Sequence, residues 1–389
     1  MTSAATIRAM SVISPLAMTA AAHVDPLRSG RSALIGSYPR LDGALVTVGR
    51  LPEEPPPLPA GLEAWESRNN RLLAALIAPL HDALAGAIEE HGAARVGIVL
   101  GVTTSGIADS EPHYRYFTET GAWPDAYRYA RQELGDPASF AARLTGTRGP
   151  AYVVSTACTS GAKAMVSAAM LLQSGICDSV LCGGLDTLSA LTINGFAALE
   201  ALSTTACLPF SRNRSGISIG EGGALFILDR KPGGLRLAGW GESCDAHHLS
   251  APDPEGIGAA AAIGEALGRA GIAAGDIGYV NLHGTGTKLN DQVESRVIER
   301  VFGLSVPCSS TKGATGHILG GAGACEAAFV ALSLEHGFLP PHVWDGEADA
   351  ELAAINLVQR EAARAEINPM MSCSYAFGGN NCVLVLARE

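Results

Sequence analysis

Basic charge is what this chain has least of. Against 38 acidic residues it carries 27 lysines and arginines, which leaves a formal net charge of −11. A broad nucleic-acid surface needs a basic face to meet phosphates, so that class of function is excluded. Any acidic partner would need a local basic patch against an unfavourable overall field. Aromatic residues make up only 5% beside 46 glycines, a balance that suits α/β enzymes built on close backbone packing and tight turns. CxxC pairs are missing too. The nine cysteines are odd in number and scattered, as in reduced cytosolic enzymes rather than disulfide scaffolds. None of the ten histidines stands at zinc-ligand spacing from Cys or Glu, so no metal site is expected. No apolar run approaches the roughly 20 residues of a membrane span. The start, TIRAMSVISPLAMTAAAHV, has the outline of a signal peptide, but Pro15 and interior hydroxyl residues interrupt it. It reads instead as a strand and turn followed by a helix, in a cytoplasmic protein.

What is present is length, an apolar core and alternation. With 389 residues, 47% of them hydrophobic, the chain can form two or three domain-sized units. LPEEPPPLPAG (51–61) is a loop, because its prolines lack backbone donors. RLLAALIAPLHDALAGAIEE (71–90) has helical spacing interrupted at Pro79, so a kink or two abutting helices is expected. Buried strands are expected within 94–107, 179–186, 223–229, 235–243 and 277–286. Small-residue helices are expected at 161–175 and 256–271, and the end (371–388) reads as a loop followed by a buried strand. Strands alternating with helices in both halves imply parallel sheets covered by helices. The aromatics gathered at 110–130 have no clean period and form a candidate subunit interface or acyl-pocket floor.

Three loops that follow strands hold the reactive side chains, where open α/β sheets commonly place their sites. VVSTACTSGAKAM (153–165) sets Cys158 at a strand-to-helix junction. The helix dipole there favours thiolate, and neighbouring amides can hold an oxyanion. An inert buried cysteine is the commoner state of a free thiol, and Cys177, Cys182, Cys325 and Cys382 in apolar segments exemplify it. NLHGTGTKLND (281–291) carries His283, which a bracing role in a loop would also explain. SSTKGATGHILGGAGACE (309–326) carries Lys312, His317 and Glu326 without the spacing of a phosphate-binding loop. Lys312 is one of only four lysines, and its place beside a histidine points to the site rather than to solvent. A thiol with one imidazole suffices for hydrolysis. Two imidazoles suit a reaction that must stabilise negative charge growing on an oxygen, such as decarboxylation of a malonyl thioester to its enolate.

STACTSG, NLHGTGT, STKGATGH with Glu326 nine residues on, and AFGGNN together resemble the β-ketoacyl-acyl-carrier-protein synthase family, in order and over nearly the whole chain. The resemblance implies a thiolase-like fold of two similar halves, 1–234 with the nucleophile and 235–389 with the catalytic histidines, in a five-layered α/β/α/β/α domain. It implies that Cys158 accepts the acyl chain, that His283 and His317 promote decarboxylation, and that Lys312, held by Glu326, positions and polarises. Phe377 would be the gatekeeper, its N–H joining that of Cys158 in an oxyanion hole. Thr285 and Thr287 would hydrogen-bond the pantetheine arm. Arg68 and Arg71 lie where relatives place basic residues that dock the carrier, although two solvated arginines at a helix start would look the same. No diffusible cofactor or metal is implied, since 4′-phosphopantetheine arrives on the acyl carrier protein. The partners would be acyl- and malonyl-carrier, with a homodimer or a heterodimer containing a homologous chain-length-factor subunit.

Several positions depart from the housekeeping pattern: Ser215 where Arg-Asp-Gly is usual, Ala376 and Asn380 in SYAFGGNN, and LTINGFAALEALS at 191–203. In these it is similar to synthases of aryl-polyene and xanthomonadin-type pigment pathways. A housekeeping fatty-acid synthase and a non-catalytic partner subunit are the alternatives, the second disfavoured by the intact Cys158, His283 and His317. A degradative thiolase would need a second cysteine where AFGGNN stands.

Overall fold

The runs VGIVLG, SVLCGGLD and GGALFILD form strands buried at every position, as strands covered by helices on both faces must be. The computed structural model describes residues 5–359 and 367–389. In chain order its strands are β1 (Ala5–Ile13), β2 (Gly36–Pro39), β3 (Leu45–Val48), β4 (Val96–Gly101), β5 (Ala151–Val154), β6 (Ser179–Asp186), β7 (Gly222–Asp229), β8 (Leu235–Cys244), β9 (Tyr279–Asn281), β10 (Pro307–Ser309), β11 (Asn356–Leu357), β12 (Met370–Tyr375) and β13 (Asn380–Arg388). β2 and β3 form a separate hairpin; the others order as β5-β4-β6-β7-β1 and β8-β13-β12-β9-β10-β11. These two half-sheets touch only where β1 meets β8, through Ala5–Leu237 and Thr6–Arg236.

The half-sheets share one plan. From the junction outward the first two pairings are antiparallel and the remainder parallel. This corrects the expectation of purely parallel sheets, because hydrophobic patterning records burial but not strand direction. The segment expected as a loop before the last strand is β12, paired with β13 from Met370–Leu386 to Tyr375–Asn381.

Between the half-sheets lie two helices, Ser160–Gln173 and Ala322–His336, which pack on each other and against strands of both. Every residue from Ala322 to Leu334 is buried, the pattern of a helix enclosed on all sides. Helices Arg68–Ile77, His81–His91 and Asp136–Thr145 cover the outer face of the first half-sheet, whereas Ile257–Ala270 and Lys288–Phe302 cover that of the second. The result is the five-layered, thiolase-like α/β/α/β/α arrangement. The expected break at Pro79 is a 3-10 turn, Ala78–Leu80. Taken end to end, Arg68–His91 is long and apolar enough to cross a membrane, contrary to the reading of single runs. In the fold its Leu72, Leu73, Leu76, Leu80 and Leu84 are buried against the first half-sheet.

Candidate active site

Cys158 sits on a sharp bend between β5 and the Ser160–Gln173 helix. Ala157 takes a left-handed φ of 52°, a conformation that costs a non-glycine residue about 1 kcal/mol or more. The flanking hydroxyls hold the bend. Thr159 Oγ1 donates to Thr156 O at 2.7 Å, Ser160 Oγ donates to Ala157 O at 2.6 Å, and Thr156 N–H donates to Ser160 Oγ at 2.9 Å. Glycine lets the helix start close against its neighbours. A Cβ at Gly101 would lie 2.3 Å from Gly161 N, and one at Gly161 would lie 2.9 Å from Gly320 O. The thiol is thereby fixed at the seam of the two halves.

The second half brings its imidazoles to that thiol. His317 Nε2 is 3.0 Å from Cys158 Sγ. The His283 and His317 rings lie 5.3 Å apart, nearly perpendicular. Lys312 is 1% exposed; its Nζ donates to the Glu326 carboxylate and to His283 O at 2.5 Å, and stands 3.4 Å from His283 Nδ1. An ammonium beside Nδ1 makes that nitrogen the acceptor and puts the ring proton on Nε2. Burial and the Lys312 charge hold His283 well below the ordinary histidine range, and the same causes, in the same order, hold His317 there. Both rings are therefore neutral near pH 7. His317 Nδ1 has no partner among the described residues, so the contact of Nε2 with the Cys158 thiol sets its tautomer: Nε2 accepts and Nδ1 carries the ring proton.

The thiol does not follow the dipole argument alone. Burial pushes Cys158 up to about 12, opposed by the Lys312 charge and by the backbone N–H groups of Cys158 and Phe377. Desolvation of a fully enclosed sulfur outweighs the half-charge of a helix end. At rest the pair is a neutral thiol beside a neutral imidazole, and proton transfer accompanies attack. The convergence of the two backbone N–H groups at the sulfur is the arrangement that an oxyanion hole requires. Cys158, His283 and His317 place ligand atoms within 4.8 Å of one another, a grouping able to hold a metal ion that sequence spacing did not reveal. The adjacent Lys312 ammonium opposes a second cation there.

A cavity of about 620 Å³ opens from these atoms, lined among others by Phe196, Ile217, Thr285, Thr287, Lys288 and Phe377. Thr285 and Thr287 are linked by their hydroxyls at 3.0 Å. The Phe377 ring leans on Phe196 with centroids 5.6 Å apart, and Gly378 and Gly379 follow it with φ of 85° and 77°. Ser215 also lines the wall, its hydroxyl 2.9 Å from that of Ser203. Tyr114, Phe117, Trp123 and Tyr127 do not line this cavity. They form a stack, exposed at Tyr114, Phe117 and Trp123 and half-buried at Tyr127, with the Trp123 centroid 4.4 Å from Phe117 and 4.1 Å from Tyr127. The two arginines expected to dock a carrier differ. Arg68 grips buried Glu221 with two nitrogens, at 2.9 and 2.8 Å, and also pairs with Glu54. Its charge is paired with both carboxylates, which counts against Arg68 as a docking cation. Arg71 is paired with Glu66 and its side chain is 38% exposed.

Sequence reasoning missed the acids that brace the loops. Glu294 accepts from His283 N–H and Gly284 N–H, both at 2.7 Å, and burial pushes it up to about 8. Asp186 gathers the N–H groups of Thr103, Thr104 and Gly320 beneath the site. Asp291 accepts from Phe210 N–H at 2.7 Å and Gly286 N–H at 3.2 Å. Asp291 stands between Asn290 and Gln292, and Glu294 between Val293 and Ser295, a pattern that a solvated helix face would also give.

Known proteins resemble this chain in sequence and fold. Residues 69–232 match the beta-ketoacyl synthase N-terminal domain, and residues 235–344 match its C-terminal domain. The 3-oxoacyl-[acyl-carrier-protein] synthase 2 of Staphylococcus aureus is 33% identical over 316 residues, covering 77% of this chain and 78% of the relative. Among solved structures, the ketosynthase ApeO, in complex with its chain length factor ApeC from Xenorhabdus doucetiae, is 42% identical with a TM-score of 0.95, over all of this chain and 98% of that one. The ishigamide ketosynthase/chain length factor structure is 27% identical with a TM-score of 0.87, over the whole of both chains.

Proposed function

The chain belongs to the β-ketoacyl synthase family, and from that premise we propose that it extends polyene chains on a carrier protein, alongside a homologous subunit that lacks the nucleophile. It is a condensing acyltransferase. The observation that carries the mechanism is the contact of Cys158 Sγ with His317 Nε2 at 3.0 Å, beside an imidazole held by Lys312.

In the first half-reaction Cys158 attacks the carrier-bound thioester as its proton passes to His317 Nε2. The N–H groups of Cys158 and Phe377 hold the oxyanion. The carrier thiolate leaves and takes that proton, and the acyl group stays on sulfur. In the second, malonyl-carrier enters and its carbon–carboxylate bond breaks. Carbon dioxide departs, and the electron pair moves onto the thioester oxygen as an enolate. His283 donates to that oxygen through Nε2–H, and His317, its Nε2 released from the thiol proton once Cys158 is acylated, donates beside it in its Nε2–H tautomer. The enolate carbon attacks the Cys158 thioester, a carbon–carbon bond forms, and the Cys158 thiolate leaves and regains a proton from solvent. Neutral donors serve well here, since a pre-existing imidazolium would take no part in the thiol's deprotonation. Thr285 and Thr287 hold the pantetheine arm, which arrives on the carrier, so no diffusible cofactor is needed. Arg71 remains the candidate for carrier docking.

The polyene reading is supported by the departures at Ser215, Ala376 and Asn380, and by 42% identity to a ketosynthase solved with a chain length factor. The exposed aromatic stack at 114–127 is the face offered to that subunit. Mass spectrometry of carrier-bound products, with and without candidate partners, tests this. Polyunsaturated chains should be extended in preference, and the partner should raise turnover. Equal extension of saturated medium chains would sink the specialised reading and leave the condensing chemistry intact.

A further inference from the structure

The loop from His283 to Lys288 runs from the reacting atoms to solvent. His283 is 2% exposed and Thr285 6%, Thr287 is half-buried and Lys288 is exposed, and all four line the same cavity. The other three lysines are paired: Lys163 with Glu242, Lys231 with Glu90 and Lys312 with Glu326. Arg214, the other permanent cation of the lining, is buried and tied to Asp349. Lys288 is thus the one unpaired permanent cation lining the cavity among the described residues. An unpaired ammonium at the mouth of a cavity, in a chain of net charge −11, fits an anion that arrives with the substrate.

We propose that Lys288 binds the phosphate that joins the pantetheine arm to its carrier, an assignment that rests on the carrier-dependent reading above. The thiol end of the arm must reach Cys158 while its amides pass Thr285 and Thr287, which leaves its phosphate outermost. The five Cα-to-Cα steps from His283 to Lys288 span at most about 17 Å when fully extended. The covalent path from sulfur to phosphorus in an extended arm is on the order of 15 Å, which lies within that limit. Lys288 also opens the Lys288–Phe302 helix, and its Thr287 cap makes no side-chain capping bond. The first turn also carries Asp291, which accepts from Gly286 and Phe210 N–H, so the ammonium rather than the helix end supplies the positive charge.

The test compares acyl thioesters of phosphopantetheine, of pantetheine lacking the phosphate, and of the intact carrier, using Lys288→Ala, Lys288→Gln and Lys288→Arg. The wild type should prefer the phosphorylated thioester by kcat/KM. In the Ala and Gln variants that preference should fall about fivefold or more, mostly through KM, and Arg should restore it. Equal losses with the phosphorylated and unphosphorylated thioesters would overturn the assignment, as would no loss at all. A defect confined to the intact carrier would also overturn it, by moving the contact to the carrier's protein surface. A wild-type chain that condenses none of the thioesters would defeat the functional reading beneath it instead.

Discussion

Glu326→Gln should separate the two half-reactions. Glu326 and Lys312 are an almost fully enclosed ion pair, with side chains 3% and 1% exposed. Removing one partner of such a pair costs about 3–5 kcal/mol, because the remaining charge is left desolvated. Without the Glu326 carboxylate the Lys312 amine is no longer held in place beside Nδ1 of His283, and Nε2–H loses its fixed aim. Loss of one well-placed donor to a developing oxyanion lowers the rate by about 10²–10³. Decarboxylation of malonyl-carrier should fall by that factor. Acylation of Cys158 uses His317 and two backbone amides instead, so it should fall by less than about tenfold. Carbon dioxide release and the intact mass of the acylated protein read the two steps separately, and thermal unfolding reads the stability. Lys312→Met combined with Glu326→Leu should recover most of the stability and none of the decarboxylation. A Glu326→Gln protein that loses both half-reactions equally, or neither, would refute the reasoning.

Because burial and Lys312 hold both imidazoles well below 6.5, they stay neutral as pH falls through the ordinary histidine range. The imidazoles should therefore add no acid limb to the pH profile of kcat/KM; a limb between about pH 7 and 8 belongs to the buried carboxylates Glu326 and Glu294, pushed up to about 7 and about 8, and a limb near 6.5 that survives Glu326→Gln would show a charged ring at work. With the thiol pushed up to about 12, alkylation of Cys158 by iodoacetamide should keep rising through pH 9, whereas a plateau below pH 8 would restore the helix-dipole thiolate. Gly101→Ala would drive a Cβ to 2.3 Å from Gly161 N, forcing the nucleophile helix to shift. It should lower stability by about 1–3 kcal/mol and slow acylation, as seen by thermal unfolding and stopped acyl transfer; unchanged values would mean that the helix start is not wedged.

The central helices and most strands were legible because small apolar residues and hydroxyl-rich loops leave strong local patterns. SVLCGGLD and LRLAGWGES appear as β6 and β8 almost residue for residue. MSCSY did not look like a strand because it lacks the β-branched run, yet its pairing with β13 and β9 imposes one. Cys158, His283, Lys312 and His317 were legible as polar residues at strand ends, and the fold brings them together. Glu294 and Asp186 were not, because their role is to accept backbone N–H groups from distant loops. The pairing of Arg68 was hidden for a related reason: a charge at a helix start looks solvated until its buried partner, Glu221, is known.

The most direct measurement is peptide mass spectrometry of the protein after incubation with acyl-carrier alone. The acyl mass should appear on the peptide bearing Cys158, disappear when malonyl-carrier is added, and be absent from a folded Cys158→Ala variant. Acyl label on Cys207 or Cys244 in place of Cys158, or condensation that survives the substitution, would contradict the account.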